Sequence, residues 1–275
     1  MKYILSLLLP IILFSAEPDK KLHDKNLYPT VKITYSKSNC DCEDCKKKPQ
    51  QAVATGFLCN SFPVNNDLFK NKFFNVVITA AHTVESNPTN LLVHIGIYED
   101  HSDLKGFEFF PAMLYGMDQS KDLAILTFIT DKAKPTVDLD FNSKFFFGTD
   151  VFKIGYGLGD DPRLDFGQIT SIETKIPERL RGFVRTNAYT IFGDSGGPLF
   201  LKENGKTIGV ASSIRGSENT FLQKQSYFSP IGWLKIWDEE SKGSLSFIYN
   251  NNKKIPETLM FQMWLKDFEI KGNRQ

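Results

Sequence analysis

The chain has almost no net charge. Its 33 lysines and arginines face 32 acidic residues, a formal +1 at pH 7. That balance removes the electrostatic basis for binding nucleic acid or an anionic membrane surface. The lysine runs are short, and Lys20-Lys21 and Lys46-Lys47-Lys48 read as solvated loop segments. No internal repeat and no low-complexity tract interrupts the 275 residues, which argues against a solenoid or a disordered array. No apolar run reaches the roughly 20 residues that a membrane-spanning helix needs. Histidine is scarce: His23, His82, His94 and His101 are the whole set. Cysteine is equally scarce, with Cys40, Cys42, Cys45 and Cys59. A content of 41% hydrophobic and 24% charged residues suits one two-lobed globular domain with short extensions.

What stands out is Gly193-Asp194-Ser195-Gly196-Gly197-Pro198-Leu199-Phe200. It places a serine on a tight, glycine-rich turn. Gly193 has no side chain, so its N–H can approach a substrate oxygen, and Gly196 and Gly197 relieve crowding around the hydroxyl. Such a turn suits attack by Ser195 Oγ on a carbonyl, with the N–H groups of Gly193 and Ser195 holding the oxyanion. The same glycine spacing fits the nucleophile elbow of α/β-hydrolases, but there the base histidine follows the serine. No histidine follows Ser195 here. An order of His, then Asp, then Ser remains.

His82 is the candidate base. It ends Val76-Val77-Ile78-Thr79-Ala80-Ala81-His82, where an apolar β-branched strand runs into two small residues. That sets an imidazole at the rim of a rigid core. His94 lies within a strand pattern and faces outward. His101 sits in the polar loop Glu99–Asp103, and His23 lies among lysines near the N-terminus. Asp122 is the candidate orienting acid. It opens the apolar strand Leu123–Phe128, and an acid at the mouth of a buried strand needs a partner. Asp118, four residues earlier, reads as turn material.

Short apolar or alternating runs separated by turn residues mark strands at Val31–Tyr35, Ala52–Leu58, Phe73–Thr79, Leu91–Tyr98, Leu123–Phe128, Val151–Tyr156, Gly167–Glu173, Pro198–Leu201 and Thr207–Ser212. This density with few helical segments predicts an all-β fold. Asp131 to Lys144 reads as the linker between two lobes, about residues 28–133 and 145–235, within a domain spanning 17–240. Trp233 to Glu240 predicts a short helix. Pro256 to Phe268 carries a helical stripe of Leu259, Met260, Met263, Trp264 and Phe268, expected to dock on the barrel as part of a 241–275 extension.

Three blocks in the right order carry a family resemblance: Thr79-Ala80-Ala81-His82, Asp122-Leu123-Ala124-Ile125-Leu126, and Gly193 to Leu199. With them the chain resembles the trypsin/chymotrypsin-like serine peptidases over about residues 30–235. The details are closer to bacterial DegP-like peptidases than to digestive trypsins. Ala54-Thr55-Gly56-Phe57-Leu58, Ile154-Gly155-Tyr156-Gly157-Leu158-Gly159, Gly167-Gln168-Ile169-Thr170-Ser171 and Thr186-Asn187-Ala188 all look like patches of those enzymes. The resemblance implies two six-stranded antiparallel β-barrels meeting at a cleft, with a C-terminal helix added here. It implies His82 as base, Asp122 as orienting acid and Ser195 as nucleophile, with no cofactor and no metal. Gly209-Val210-Ala211-Ser212-Ser213-Ile214 looks like the strand that pairs with substrate backbone, with Ser212 bonded to Asp122. The residue six before the serine forms the pocket floor in digestive members; here it is Tyr189, not an acid, so small or medium apolar side chains are expected ahead of Lys or Arg. Thr83 replaces the cysteine common after the histidine. Asp194 pairs in digestive trypsins with a freed apolar N-terminus, but no Ile-Val-Gly-Gly activation site occurs, leaving its partner unassigned. A full C-terminal PDZ domain, common in DegP-like enzymes, is not expected within the residues after 240.

Lys2, the apolar stretch Tyr3 to Phe14 and the small pair Ser15-Ala16 read as a secretory signal peptide over residues 1–16. Export, to the periplasm or the exterior, is expected, with no stable membrane insertion after signal removal. An oxidising compartment favours disulfides among Cys40, Cys42, Cys45 and Cys59; a metal site from the same four is the alternative. The chemistry expected is peptide-bond hydrolysis through an acyl-enzyme on protein or peptide substrates, with activity rising with pH as the imidazole loses its proton. Two rivals remain: an inactive homologue that serves as a binding or regulatory module, and an enzyme held latent by residues 17–50 or by the C-terminal helix. The sequence leaves the oligomeric state open.

Overall fold

A computed structural model describes residues 20–37, 50–64, 69–85, 88–142, 144–172, 182–215 and 225–249. A short helix, α1 (Lys20–Leu27), precedes seven strands of the first lobe. These are β1 (Thr30–Lys37), β2 (Gln50–Pro63), β3 (Phe73–Thr79), β4 (Thr89–Tyr98), β5 (Leu104–Pro111), β6 (Met113–Asp118) and β7 (Leu123–Thr130). The second lobe has β8 (Asp150–Gly155), β9 (Arg163–Ile172), β10 (Val184–Thr186), β11 (Pro198–Leu201), β12 (Thr207–Arg215) and β13 (Gln225–Pro230), followed by α2 (Trp233–Glu240).

The second lobe closes as a six-stranded barrel in the order β10-β13-β12-β11-β8-β9. The first lobe departs from the expected six: it is a seven-stranded antiparallel sheet in the order β5-β4-β1-β2-β3-β7-β6. The strands that the sequence reading left unmarked are its two edges, β5 and β6. β5 carries Lys105 and Glu108 and leaves Phe109 62% exposed, so no alternating pattern announces it. β6 is broken by a register shift between Leu114 and Gly116 against β7. The architecture is the chymotrypsin-like double lobe.

Alternation along the strands explains how the lobes join. In β3, Phe74, Val76 and Ile78 face a core shared by both lobes, while Val77 faces the interior of the first. In β7, Leu123 and Ile125 face the shared core, and Ala124, Leu126 and Phe128 the first-lobe interior. In β8 and β11, Phe152, Ile154 and Phe200 face the shared core; Val151, Leu199 and Leu201 fill the barrel. These strands are buried on both faces, and so they read as continuous apolar runs. Each such side chain is worth about 1.5–3 kcal/mol on burial.

Among the described residues, 131–142 and 144–149 carry no named strand, and the first of these stretches is bonded to both lobes. Val137 N–H donates to Leu58 O at 2.9 Å, and Thr207 N–H to Asp138 O at 2.8 Å. Beyond α2 the chain turns back into the shared core, burying Leu245, Phe247 and Ile248. Asn60 Nδ2 donates to Phe247 O at 2.9 Å and fixes that return. The predicted signal peptide, Cys40, Cys42, Cys45 and the stripe at 256–268 lie outside the described residues.

Candidate active site

The register of β3 against β7 builds the first half of the site. Thr79 pairs with Ala124, the last couple of the antiparallel ladder. Just past it the chain enters a 3-10 turn, Ala81–Thr83, that carries His82 outward. Just before it Asp122 ends a turn closed by its own N–H to Gln119 O at 3.3 Å. Asp122 has φ 51°, a left-handed conformation that short polar side chains tolerate. The ladder therefore sets His82 and Asp122 side by side.

Three donors converge on the Asp122 carboxylate. His82 N–H reaches Oδ1 at 2.9 Å. His82 Nδ1 lies 3.0 Å from both carboxylate oxygens. The Ser212 hydroxyl, from β12 of the other lobe, donates to Oδ2. The Asp122 side chain is only 15% exposed, and these three donors meet its oxygens where water has little access. Asp118, by contrast, belongs to the turn. It accepts from Ser120 Oγ at 2.6 Å, from Lys121 N–H at 3.1 Å and from Lys121 Nζ at 2.7 Å. Burial alone pushes its carboxyl up, but the bonds from Lys121 and Ser120 outweigh it and hold Asp118 below the usual carboxylate range.

The remaining histidines stand elsewhere. His94 pairs with Thr34 Oγ1 at 2.7 Å on the β1–β4 face. His101 is bracketed by Asp24 and Asp100. The side chain of His23 lies outside the described residues.

The second lobe supplies the serine. The turn before β11 is closed by Gly197 N–H to Asp194 O at 2.8 Å. Gly196 N–H donates to Ala211 O at 2.7 Å, and Thr55 N–H, from β2 of the first lobe, to Ser195 O at 2.9 Å. Ser195 Oγ then lies 2.9 Å from His82 Nε2. Gly196 has φ 86°, and a Cβ there would fall 2.1 Å from Thr79 Oγ1. Gly193 has φ 97°, and a Cβ there would fall 2.6 Å from Tyr156 O. Leu158 N–H donates to Phe192 O at 2.6 Å. A trans peptide points its N–H opposite to its C=O, so this bond turns Gly193 N–H away from Leu158. Thr55 Oγ1 donates to Gly193 O at 2.7 Å and locks the next peptide as well.

A cleft of about 410 Å³ opens at these groups; His82, Thr190, Phe192, Ser195, Ser213 and Ile214 are among its walls. No acidic side chain is among its described lining residues. Tyr189, expected at the floor, is not among them either. Its ring lies against the Arg163 guanidinium, 5.1 Å from its centroid, and Thr190 takes the lining position. Cys59 is a free, buried thiol whose Sγ–H points to Val76 O at 3.5 Å, so the expected disulfide from Cys59 is absent in this structure. Its side chain faces the shared core rather than the surface. Burial pushes the thiol well above its ordinary range.

Two residues at the site escaped the sequence reading. Thr55 makes three bonds to two segments: it donates to Gly193 O, accepts Tyr156 N–H at 2.9 Å and sends its own N–H to Ser195 O. Nothing in its local sequence announces that. Lys153 is fully buried, with Nζ 2.6 Å from Asp194 Oδ2. Its signal was available: a lysine inside Val151-Phe152-Lys153-Ile154 must meet a carboxylate.

Comparison with known proteins places this geometry in context. The model of the trypsin-like peptidase domain matches residues 54–210. A putative serine protease, HhoB, of Synechocystis sp. is 31% identical over 144 residues, covering 50% of this chain and 32% of the relative. Protease Do-like 1, chloroplastic, of Arabidopsis thaliana is 32% identical over 111 residues, covering 38% and 25%. Serine protease HTRA2, mitochondrial, of Drosophila pseudoobscura pseudoobscura is 28% identical over 171 residues, covering 60% and 36%. The matched stretch thus spans about a third or less of the length of these relatives. The crystal structure of Deg5 has a TM-score of 0.56 and 20% identity, covering 78% of this chain and 90% of that one; the likeness is one of fold.

Proposed function

The chain belongs to the trypsin-like peptidase family, and from that premise we propose that it is a serine endopeptidase working through His82, Asp122 and Ser195. The observation that carries the proposal is the continuous line Asp122–His82–Ser195, with contacts of 3.0 and 2.9 Å. His82 Nε2 takes the proton as Ser195 Oγ attacks the carbonyl. Asp122 accepts the Nδ1–H bond, fixes the tautomer and stabilises the imidazolium. The N–H groups of Gly193 and Ser195 hold the oxyanion. The protonated His82 then gives its proton to the leaving amine, and water releases the acyl group by the reverse route.

The cleft supports small or medium apolar side chains on the carbonyl side of the cut bond. Its walls include Thr190, Ala211 and Ile214, and no carboxylate is among them to receive a cation. Ser213 and Ile214 on β12 are the proposed edge for substrate backbone. The peptidase domain is proposed to cover 17–240, with the two lobes as its halves. Residues 1–16 support an exported protein, periplasmic or secreted. The test is a peptide library digested by the purified chain beside Ser195→Ala. Cleavage by the parent after apolar residues is the expected outcome. Dominant cleavage after Lys or Arg would overturn the pocket assignment, and equal cleavage by both proteins would overturn the triad.

A further inference from the structure

Asp194 has no accessible surface, and neither has the side chain that meets it, Lys153, to within 1%. A buried charge is tolerated only when paired. Lys153 is centred in β8, across from Asp165 in β9 and Leu199 in β11. Its ammonium lies 2.6 Å from Asp194 Oδ2 and 3.2 Å from Asp165 Oδ2. Arg163 reaches in from the surface, with Nε 2.8 Å from Asp165 Oδ2 and Nη2 3.6 Å from Asp194 Oδ2. Two cations and two carboxylates therefore neutralise one another beneath the serine turn.

The pair shapes that turn. Asp194 Oδ2 accepts Ile191 N–H at 2.9 Å, and Asp194 N–H donates to Ile191 O at 3.1 Å. These two bonds close residues 191–194 into a ring that contains Gly193. The other carboxylate oxygen is seated against bare backbone. A Cβ on Gly155 would fall 2.3 Å from Asp194 Oδ1, and one on Gly157 3.2 Å from it. The glycines of Gly155-Tyr156-Gly157 are thus the cradle of a buried carboxylate. The same segment supplies the N–H of Leu158 that orients the Phe192 peptide.

Resting on the serine-peptidase reading above, we infer that Lys153 is a positioning residue for the oxyanion-binding loop. It is an internal cation that holds Asp194 and so keeps the N–H groups of Gly193 and Ser195 aimed into the cleft. The loop is assembled by the folding of the second barrel itself, and no newly cleaved N-terminus is required to complete it.

The test compares Lys153→Met, Lys153→Arg and the double variant Lys153→Met, Asp194→Asn with the parent. Steady-state hydrolysis of a peptide substrate and amide hydrogen exchange over residues 188–197 are the readouts. Lys153→Met should lower kcat about 100-fold, the scale of losing an oxyanion-hole donor, with KM changed less than about threefold. It should speed exchange at 190–196, and Lys153→Arg should restore most of both. Should Lys153→Met fail to fold, the double variant, which buries no unpaired charge, is read the same way. Parental kcat and parental exchange in a folded Lys153→Met or double variant overturn the inference. A parent that hydrolyses nothing and takes no active-site label defeats the peptidase reading instead, and the exchange data still decide the role of Lys153.

Discussion

The two lobes bring the proposed catalytic groups to the cleft by different means. The first holds His82 and Asp122 at the ends of β3 and β7, two central strands paired over seven couples from Phe73–Thr130 to Thr79–Ala124. Position there is a consequence of strand register and apolar packing. The second holds Ser195 on a loop with left-handed glycines at 193 and 196. The loop itself belongs to no strand. It is fixed by a buried ion pair, by Thr55 reaching over from β2, and by glycines that let carboxylate and backbone touch. The lesson is that a rigid element can place a side chain through strand pairing and apolar packing, whereas a loop needs further directional bonds in a desolvated place. The first lobe should therefore fail by unfolding, and the second by losing its loop while remaining folded.

The largest effects come from the groups that both lobes serve. Ser195→Ala, His82→Ala and Asp122→Asn should each lower kcat by about 10⁴-fold or more. Their melting temperatures should stay near the parent, which differential scanning calorimetry checks. An activity loss below tenfold in any one would remove that residue from the proposed line of proton transfer.

A pair of packing variants separates the lobes. Phe74→Ala deletes a fully buried ring of the shared core beside Phe62 and Phe247. It should cost about 3–5 kcal/mol, while the folded fraction keeps its labelling rate. Gly155→Ala drives a methyl into Asp194 Oδ1. It should cost about 1–3 kcal/mol yet abolish most activity at temperatures where the protein is folded. Urea unfolding together with activity per folded molecule tests both, and the reverse pattern would break the comparison.

Two smaller effects sharpen it. Cys59 should resist a maleimide in the native state and react only on unfolding, because burial keeps its thiol protonated; fast native labelling would contradict the packing of β2. His94 is held below its ordinary value of 6.5 by burial and then by the Lys32 charge. Its folded form resists the proton more than the unfolded chain does. Its contribution is therefore complete above pH 6.5 and is lost as pH falls below that value. His94→Gln should flatten that acid limb of the stability profile by a few tenths of a kcal/mol, and an unchanged limb would remove His94 as its source.

Much of this was legible because strands buried on both faces leave unbroken apolar runs. Phe73–Thr79 and Pro198–Leu201 were readable to their ends. The three ordered motifs named His82 and the two residues that meet its ring, Asp122 at 3.0 Å and Ser195 at 2.9 Å. Edge strands were not legible. β5 alternates poorly, and β10 is three residues long with Arg185 at its centre. α1 has only two leucines, Leu22 and Leu27, and carries no apolar stripe. Thr55 was hidden for another reason: its bonds run to residues 101 and 138 positions away, and a local window holds no trace of them. The expected floor at Tyr189 missed by one residue, because Tyr189 turns to Arg163 and leaves Thr190 against the cleft.

The most direct measurement of the central claim is intact-mass and peptide mapping after treatment with a fluorophosphonate probe, parent beside Ser195→Ala. The account predicts one adduct per parent molecule, located on Ser195, and none on the variant. An unlabelled parent, or an adduct on any other residue, would contradict it.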